Sequence, residues 1–242
     1  MDDARILPRR AFLLGAGGAL ALAALPRRAF AASAKVLVLG GSTIHGALGK
    51  YIEDSLGEAG YGAERHAKSS SGLARPDFYD WQAQAEKLLA RSQPEAVVVM
   101  FGGNDGQALF MGDKASPKWI KWDEDAAWKA EYRRRVDALA DVLGGGGAQL
   151  FWMGMPEMKS NKLNGRMERM NAIYADAMKA RANGHYISTR GLMPGVSGYA
   201  EFAKVGGKQV RGRAEDGVHY SIHGARIVAA AVVPAVAQGL GA

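Results

Sequence analysis

The chain contains no cysteine, which excludes disulfides, thiolate metal sites and a cysteine nucleophile. Its stability therefore rests on a packed core, which 242 residues at 48% hydrophobic content can supply within one domain. Histidine is scarce, with five in the chain, so proton-transfer chemistry has few bases to draw on. There is no internal repeat, no long Lys/Arg run and no nucleic-acid motif, and nucleic acid is not expected as a partner. Arg133-Arg134-Arg135 sits in a helical pattern with Tyr132, Val136, Leu139, Ala140 and Leu143, and reads as a solvated face. A P-loop is excluded because Gly49-Lys50 has no glycine five residues before it and is followed by Tyr51. The G-x-S-x-G elbow is excluded because Ile44 stands where it needs glycine.

The N-terminus reads as an export signal rather than as part of the fold. Arg9-Arg10 precedes an apolar run from Ala11 to Leu25, shorter than the roughly 20 residues that span a bilayer. Ala29-Phe30-Ala31 supplies the small-residue pattern of a signal peptidase site. Residues 1–31 are thus expected to be a twin-arginine signal cleaved after Ala31, leaving 32–242 as a periplasmic or secreted domain without a stable membrane span. The signal holds five arginines and two aspartates, so the mature domain keeps +4 of the +7 net charge.

Five short apolar runs alternate with helical spacing: Lys35–Leu39, Tyr61–Ala67, Ala96–Phe101, Gln149–Met153 and His185–Thr189. Helices are expected at 46–58, 80–92, 125–143, 166–182 and 222–238. This alternation predicts a five-stranded parallel sheet with helices on both faces. Irregular connections are expected at 106–124, 154–165 and 190–221, lengths that in compact domains usually carry function.

Four signals fall where such a sheet presents ligands. Gly40-Gly41-Ser42 ends the first strand, and Ser71-Gly72 lies after the second. Gly102-Gly103-Asn104-Asp105 follows the third strand, and Asp216-Gly217-Val218-His219 precedes the last helix. Ser42 can attack a carbonyl if His219 takes its proton, with Asp216 fixing the imidazole tautomer. The Ser42 and Gly72 N–H groups and the Asn104 amide can form an oxyanion hole, with Gly72 sparing room for close approach of the substrate. Taken singly these residues have plainer readings: Ser42 as a helix N-cap, Asn104 as a turn residue, Asp216-Gly217 as a turn.

His45, Arg75, Trp119, Trp122 and Arg213 are candidate substrate contacts. The alternative for the tryptophans is a satellite core pinning a long loop, the alternative for Arg75 and Arg213 is to hold loops, and His45 lacks an evident carboxylate partner. His223 is a rival base by its place in the sequence, whereas His66 and His185 lie in strands and read as packing or surface residues. Neither Asp105 nor His219 has the His/carboxylate company of a metal site, and no cofactor is expected.

Ser42, Gly72, Asn104 and His219 stand in the order of the four blocks that name the SGNH (GDSL-like) hydrolases, and the chain resembles that family over about 34–240. It resembles more closely still the exported bacterial DUF459 subfamily. The resemblance rests on Ser71-Gly72-Leu73-Ala74-Arg75-Pro76-Asp77-Phe78-Tyr79-Asp80-Trp81, Gly102–Asp105, Trp152-Met153-Gly154-Met155-Pro156 and Arg213–Tyr220. It implies a three-layer α/β/α flavodoxin-like fold and serine-ester hydrolysis through an acyl-enzyme. Expected substrates are O-acyl groups, chiefly O-acetyl, on a polysaccharide or other small ester, with polysaccharide-biosynthesis machinery as a partner. O-acetyl transfer by the same residues and non-catalytic glycan binding are the alternatives. Gly41 departs from the family pattern, which usually has Asp there, and is expected to loosen the nucleophile turn.

Overall fold

A computed structural model describes residues 34–241. The export signal and cleavage site expected at 1–31 lie outside the described residues. The described residues form one compact unit.

The central strands are the most apolar segments of the chain. β1 (Lys35–Gly40) leads through the single-turn α1 (Ser42–His45) into α2 (Ala47–Glu58) and β2 (Gly62–Ala67). α3 (Trp81–Ser92) and β3 (Ala96–Met100) follow, with Val36–Leu39 and all of β3 buried. After β3 comes a hairpin, β4 (Leu109–Gly112) and β5 (Pro117–Ile120), then α4 (Asp125–Gly144) and β6 (Gln149–Met153). The chain continues through α5 (Asn161–Lys179), β7 (Gly184–Ile187), a second hairpin of β8 (Phe202–Val205) and β9 (Lys208–Arg211), and α6 (Ile222–Gly239).

The main sheet is parallel in the order β2-β1-β3-β6-β7. Its continuous apolar strands are those of a sheet covered on both faces. α2 packs with α6, and α4 packs with α3 and α5, giving the outer layers. The strand order reverses between β1 and β3, so the crevice opens outside the carboxyl end of β1, where Ser42 sits. The five expected strands and five main helices are all present, and the fold is the expected three-layer α/β/α arrangement.

Two features depart from the pattern read in the sequence. The connections expected at 106–124 and 190–221 hold the hairpins β4–β5 and β8–β9, whose four-residue strands are too short to show an alternating signal. α5 begins at Asn161 rather than 166, because Ser160 caps it by accepting the Leu163 N–H at 3.3 Å ahead of the apolar stripe. α6 is the one helix among the described residues long and apolar enough to cross a membrane. Its apolar residues Val228, Ala229, Val232 and Val236 are instead buried in the domain.

The first turn of α6 fixes the segment that bears His219. Ser221 caps it by accepting the Gly224 N–H at 3.1 Å, and a Cβ at Gly224 would lie 1.8 Å from the Gly212 carbonyl oxygen. Backbone on both sides of that contact leaves no flexible atom to give way. Gly224→Ala is therefore expected to cost about 1–3 kcal/mol, the usual range for overpacking, measured by urea unfolding.

Candidate functional site

Ser42 lies in the first turn after β1, and its N-cap is Gly41, with no side-chain capping bond. The capping reading of Ser42 therefore fails, and the hydroxyl faces His219, with Oγ to Nε2 at 2.8 Å. On the other side of the ring, Nδ1 lies 2.6 Å from Asp216 Oδ2. With Nδ1–H donating to the carboxylate, Nε2 is left to accept the Ser42 proton.

Asp216 is bound into its own turn, its Oδ1 accepting the N–H groups of Val218 at 2.8 Å and His219 at 2.9 Å. Desolvation pushes its pKa up, but the bonds from the His219 ring and the two N–H groups outweigh this and hold it at about 2.

Arg213 secures the same turn from inside. Only 2% exposed, it donates to the backbone carbonyls of Val218 at 2.6 Å, Glu157 at 2.7 Å and His219 at 3.3 Å. Of the two roles the sequence leaves open for it, it takes that of holding a loop, as the clamp on the histidine segment, and not that of a substrate contact. A fork of N–H donors suits this work, and burial lowers its pKa without removing the charge.

The opposite flank carries the other donors. The N–H groups of Ser42 and Gly72 make no hydrogen bond to protein among the described residues. The Asn104 amide donates to the Ser71 carbonyl at 3.3 Å, which orients it and leaves its second N–H free. These are three unspent donors beside one hydroxyl, which is what an oxyanion hole requires.

Gly72 is needed for a different reason from the one expected. A Cβ there would meet Asp105 Oδ1 at 2.1 Å, so the obstruction is internal and not at the substrate. Asp105 is fully buried, accepts the Ala74 N–H at 2.8 Å and the Tyr132 hydroxyl at 2.7 Å, and has its pKa raised by burial. Arg135 grips the carbonyls of the same segment, Leu73 at 2.8 Å and Ala74 at 3.1 Å, while pairing with Glu131 at 2.7 Å. The solvated face expected for the arginine triple holds for Arg134, 65% exposed, but not for Arg135, 10% exposed. Periodicity showed only that Arg135 sits on a helix, and nothing in it distinguished a buried clamp from a surface charge.

Gly41 is tied to β3 and closely faced by the loop after β2. Its N–H reaches the Met100 carbonyl at 3.3 Å, and a Cβ at this position would stand 2.9 Å from the Ser71 oxygen. That oxygen is the acceptor that orients Asn104.

The remaining candidates divide. His45 is exposed at the end of α1, and its ring makes no hydrogen bond among the described residues. Trp119 is 44% exposed, edge-on to Phe110, with the Arg75 guanidinium 5.1 Å from its ring centre. Trp122 is packed against Trp128 and lies under Arg169 at 4.2 Å and Arg166 at 5.0 Å, so it pins the loop, as the alternative reading had it. His66 bonds the Tyr79 hydroxyl at 2.7 Å and His185 bonds Gln149 at 2.9 Å, both away from Ser42. A cavity of about 650 Å³ lies at the other end of the sheet, lined by Gln93, Glu95 and Gln149, and takes no part in this site.

Fold and geometry together define the class: an SGNH (GDSL-like) hydrolase architecture with Ser42, Gly72, Asn104 and His219 on one edge of the sheet. Within it, a family model described as a protein of unknown function, DUF459, matches residues 35–235, and the chain belongs to that family. Solved structures share the fold. A GDSL-like lipase from Bacteroides thetaiotaomicron has a TM-score of 0.56 at 12% identity, covering 84% of this chain and 88% of that one. A catalytic mutant of an acetylxylan esterase from Geobacillus stearothermophilus has a TM-score of 0.55 at 14% identity, with 84% and 94% covered. An alpha/beta hydrolase from the metagenome of Lake Arreo, Spain, has a TM-score of 0.59 at 15% identity, with 86% and 97% covered. No curated protein matches.

The Asp216 geometry has a measurable consequence. A carboxyl depressed from 3.8 to about 2 stabilises the fold above its unfolded pKa and loses that contribution as pH falls through its folded one. The stability difference between wild type and Asp216→Asn is expected to shrink as pH falls between about 4 and 2 and to vanish below that. Urea unfolding across that range checks it.

Proposed function

We propose that the protein is a serine esterase that removes O-acyl groups, chiefly O-acetyl, from a polysaccharide. The observation that carries this is the continuous Asp216–His219–Ser42 hydrogen-bonded chain beside three free donors. Ser42 Oγ bonds to the acyl carbon as its proton passes to His219 Nε2, and the carbonyl oxygen becomes an oxyanion facing Ser42 N–H, Gly72 N–H and the Asn104 amide. Collapse breaks the bond to the sugar oxygen, which takes the proton from His219. Water then adds to the acyl-enzyme, giving one proton to His219, which returns it to Ser42 as the carboxylic acid leaves. Asp216 steadies the imidazolium in both halves without itself being protonated.

Two features support a polymer substrate. The triad is open, with the side chains of His219 and Asp216 36% and 49% exposed, so an ester on a bulky chain can reach it. The expected export signal at 1–31 would bring the enzyme together with envelope and secreted polysaccharides. The acetylxylan esterase that shares the fold is a carbohydrate esterase, which is consistent with this choice.

Acetate release from 4-nitrophenyl acetate and from acetylated polysaccharide tests the reading. Ser42→Ala is expected to abolish turnover, and Asn104→Ala to lower kcat about 10²–10³-fold with little change in KM. Hydrolysis that survives Ser42→Ala would overturn the mechanism.

Gly41→Asp, which installs the residue usual in the family, is expected to lower kcat by about tenfold or more rather than raise it. Its Cβ presses on the Ser71 carbonyl and so turns the Asn104 amide away. A kcat equal to or above wild type would show that the contact does not matter.

A further inference from the structure

Beyond the triad, the structure repeats one side-chain arrangement twice. On the hairpin β4–β5, Trp119 is 44% exposed and the Arg75 guanidinium lies 5.1 Å from its ring centre. Arg75 is itself fixed by a two-pronged pair with Asp77, Nε to Oδ1 at 2.8 Å and Nη2 to Oδ2 at 2.7 Å. On β8–β9, Phe202 is 38% exposed, and the guanidinium of Arg211, its cross-strand partner, lies 5.0 Å from the ring centre. Arg211 is fixed in turn by an ion pair with Glu201. Each unit is thus an open aromatic ring, an arginine at its side and a carboxylate holding that arginine.

Both units belong to the flanks of the reacting centre. Arg75 comes three residues after Gly72, a separation of at most about 10 Å along extended chain. On the other flank Ser221, two residues after His219, donates its hydroxyl to the Arg211 carbonyl and its N–H to Gly212 at 3.2 Å. One ring therefore stands on the side of the oxyanion donors and the other on the side of the histidine. Neither hairpin pairs with the main sheet, so each is an addition to it, tied to a loop that carries a reacting group.

We propose that these two units are ledges for sugar rings on either side of the scissile ester, so that a polysaccharide chain lies across the site and touches both. The proposal rests on the esterase reading for where the ester sits, but the binding itself needs no hydrolysis. The C–H face of a pyranose packs on an aromatic ring. Its hydroxyls can accept from the N–H groups that the carboxylates leave over: Nη1 of Arg75, and Nε and Nη2 of Arg211, bond nothing among the described residues. Because each guanidinium is already neutralised, the ledges read ring faces and hydroxyls rather than the charge of a polyanion.

The test uses the whole chain carrying Ser42→Ala, so that no substrate is consumed, run by affinity electrophoresis through gels containing acetylated xylan or acetylated glucomannan. Retardation by at least one polymer is expected. Trp119→Ala and Phe202→Ala should each weaken it about three- to tenfold, and together abolish it. Trp119→Phe should retain it, and high salt should leave it intact. The urea-unfolding midpoints of both alanine variants should match that of the Ser42→Ala parent, which separates lost ledges from lost folding. No retardation by either polymer overturns the proposal, as does retardation that the double variant keeps or that salt removes. If the ledges bind as expected but the wild type releases no acetate, the esterase reading alone fails.

Discussion

The buried carboxylate of Asp105 is the constraint on which the oxyanion side of the site depends. It follows Asn104 directly, yet it points into the protein, where it accepts the Ala74 N–H from the loop after β2 and the Tyr132 hydroxyl from α4. Tyr132 in turn lies 2.7 Å from the Tyr174 hydroxyl on α5. One side chain thus joins two active-site loops to two helices of the outer layer. An acid without partners at this depth would be costly, and removing one partner of a buried charge typically costs about 3–5 kcal/mol. The arrangement also dictates Gly72, since any side chain there would enter the space of the carboxylate. Asn104 and Gly72, which face the reaction, are held where they are by an acid that does not.

The histidine side is built on the complementary principle. Arg213 there and Arg135 on the opposite flank each spend their donors on backbone carbonyls of a loop that carries a reacting group. A loop has many carbonyls and few internal partners for them, and a guanidinium answers several at once in fixed geometry. The loops can then be long and irregular while the atoms that matter stay in place. Cation–π contacts at 4.8 Å from Tyr220 and 5.5 Å from Tyr199 complete the surroundings of Arg213 in place of a paired acid.

What the sequence made legible follows from how local each signal is. Strands β1 and β3 are unbroken apolar runs, and a turn with Ser42 or Asn104 at its end is readable because the strand before it fixes direction and edge. Asp216 and His219 were readable as a pair because three residues separate them. The roles of Arg135 and Asp105 depend on partners 62 and 31 residues away, and Arg213 joins its neighbours Val218 and His219 to Glu157, 56 residues away; no pattern within a window of sequence encodes those distant contacts. The hairpins were hidden for another reason. Their four-residue strands are too short to show the alternation that marks a half-buried strand, although Leu109, Phe110 and Ala203 are buried.

Gly41 shows how a departure from a family pattern is to be weighed. Read alone, the loss of an aspartate beside the nucleophile suggests a weakened turn. In the structure the loop after β2 occupies the space that a side chain at 41 would enter, and the Ser71 carbonyl is a neighbour of the nucleophile turn. The Ser71 side chain is anchored as well, donating to the Lys68 carbonyl at 2.6 Å and accepting from Trp81 Nε1 at 3.0 Å. The carbonyl is therefore not free to retreat, and the Asn104 amide depends on it. Glycine at 41, the anchored Ser71 and the aimed Asn104 form one solution to the same packing problem. The residue at 41 can be judged only together with the loop it faces.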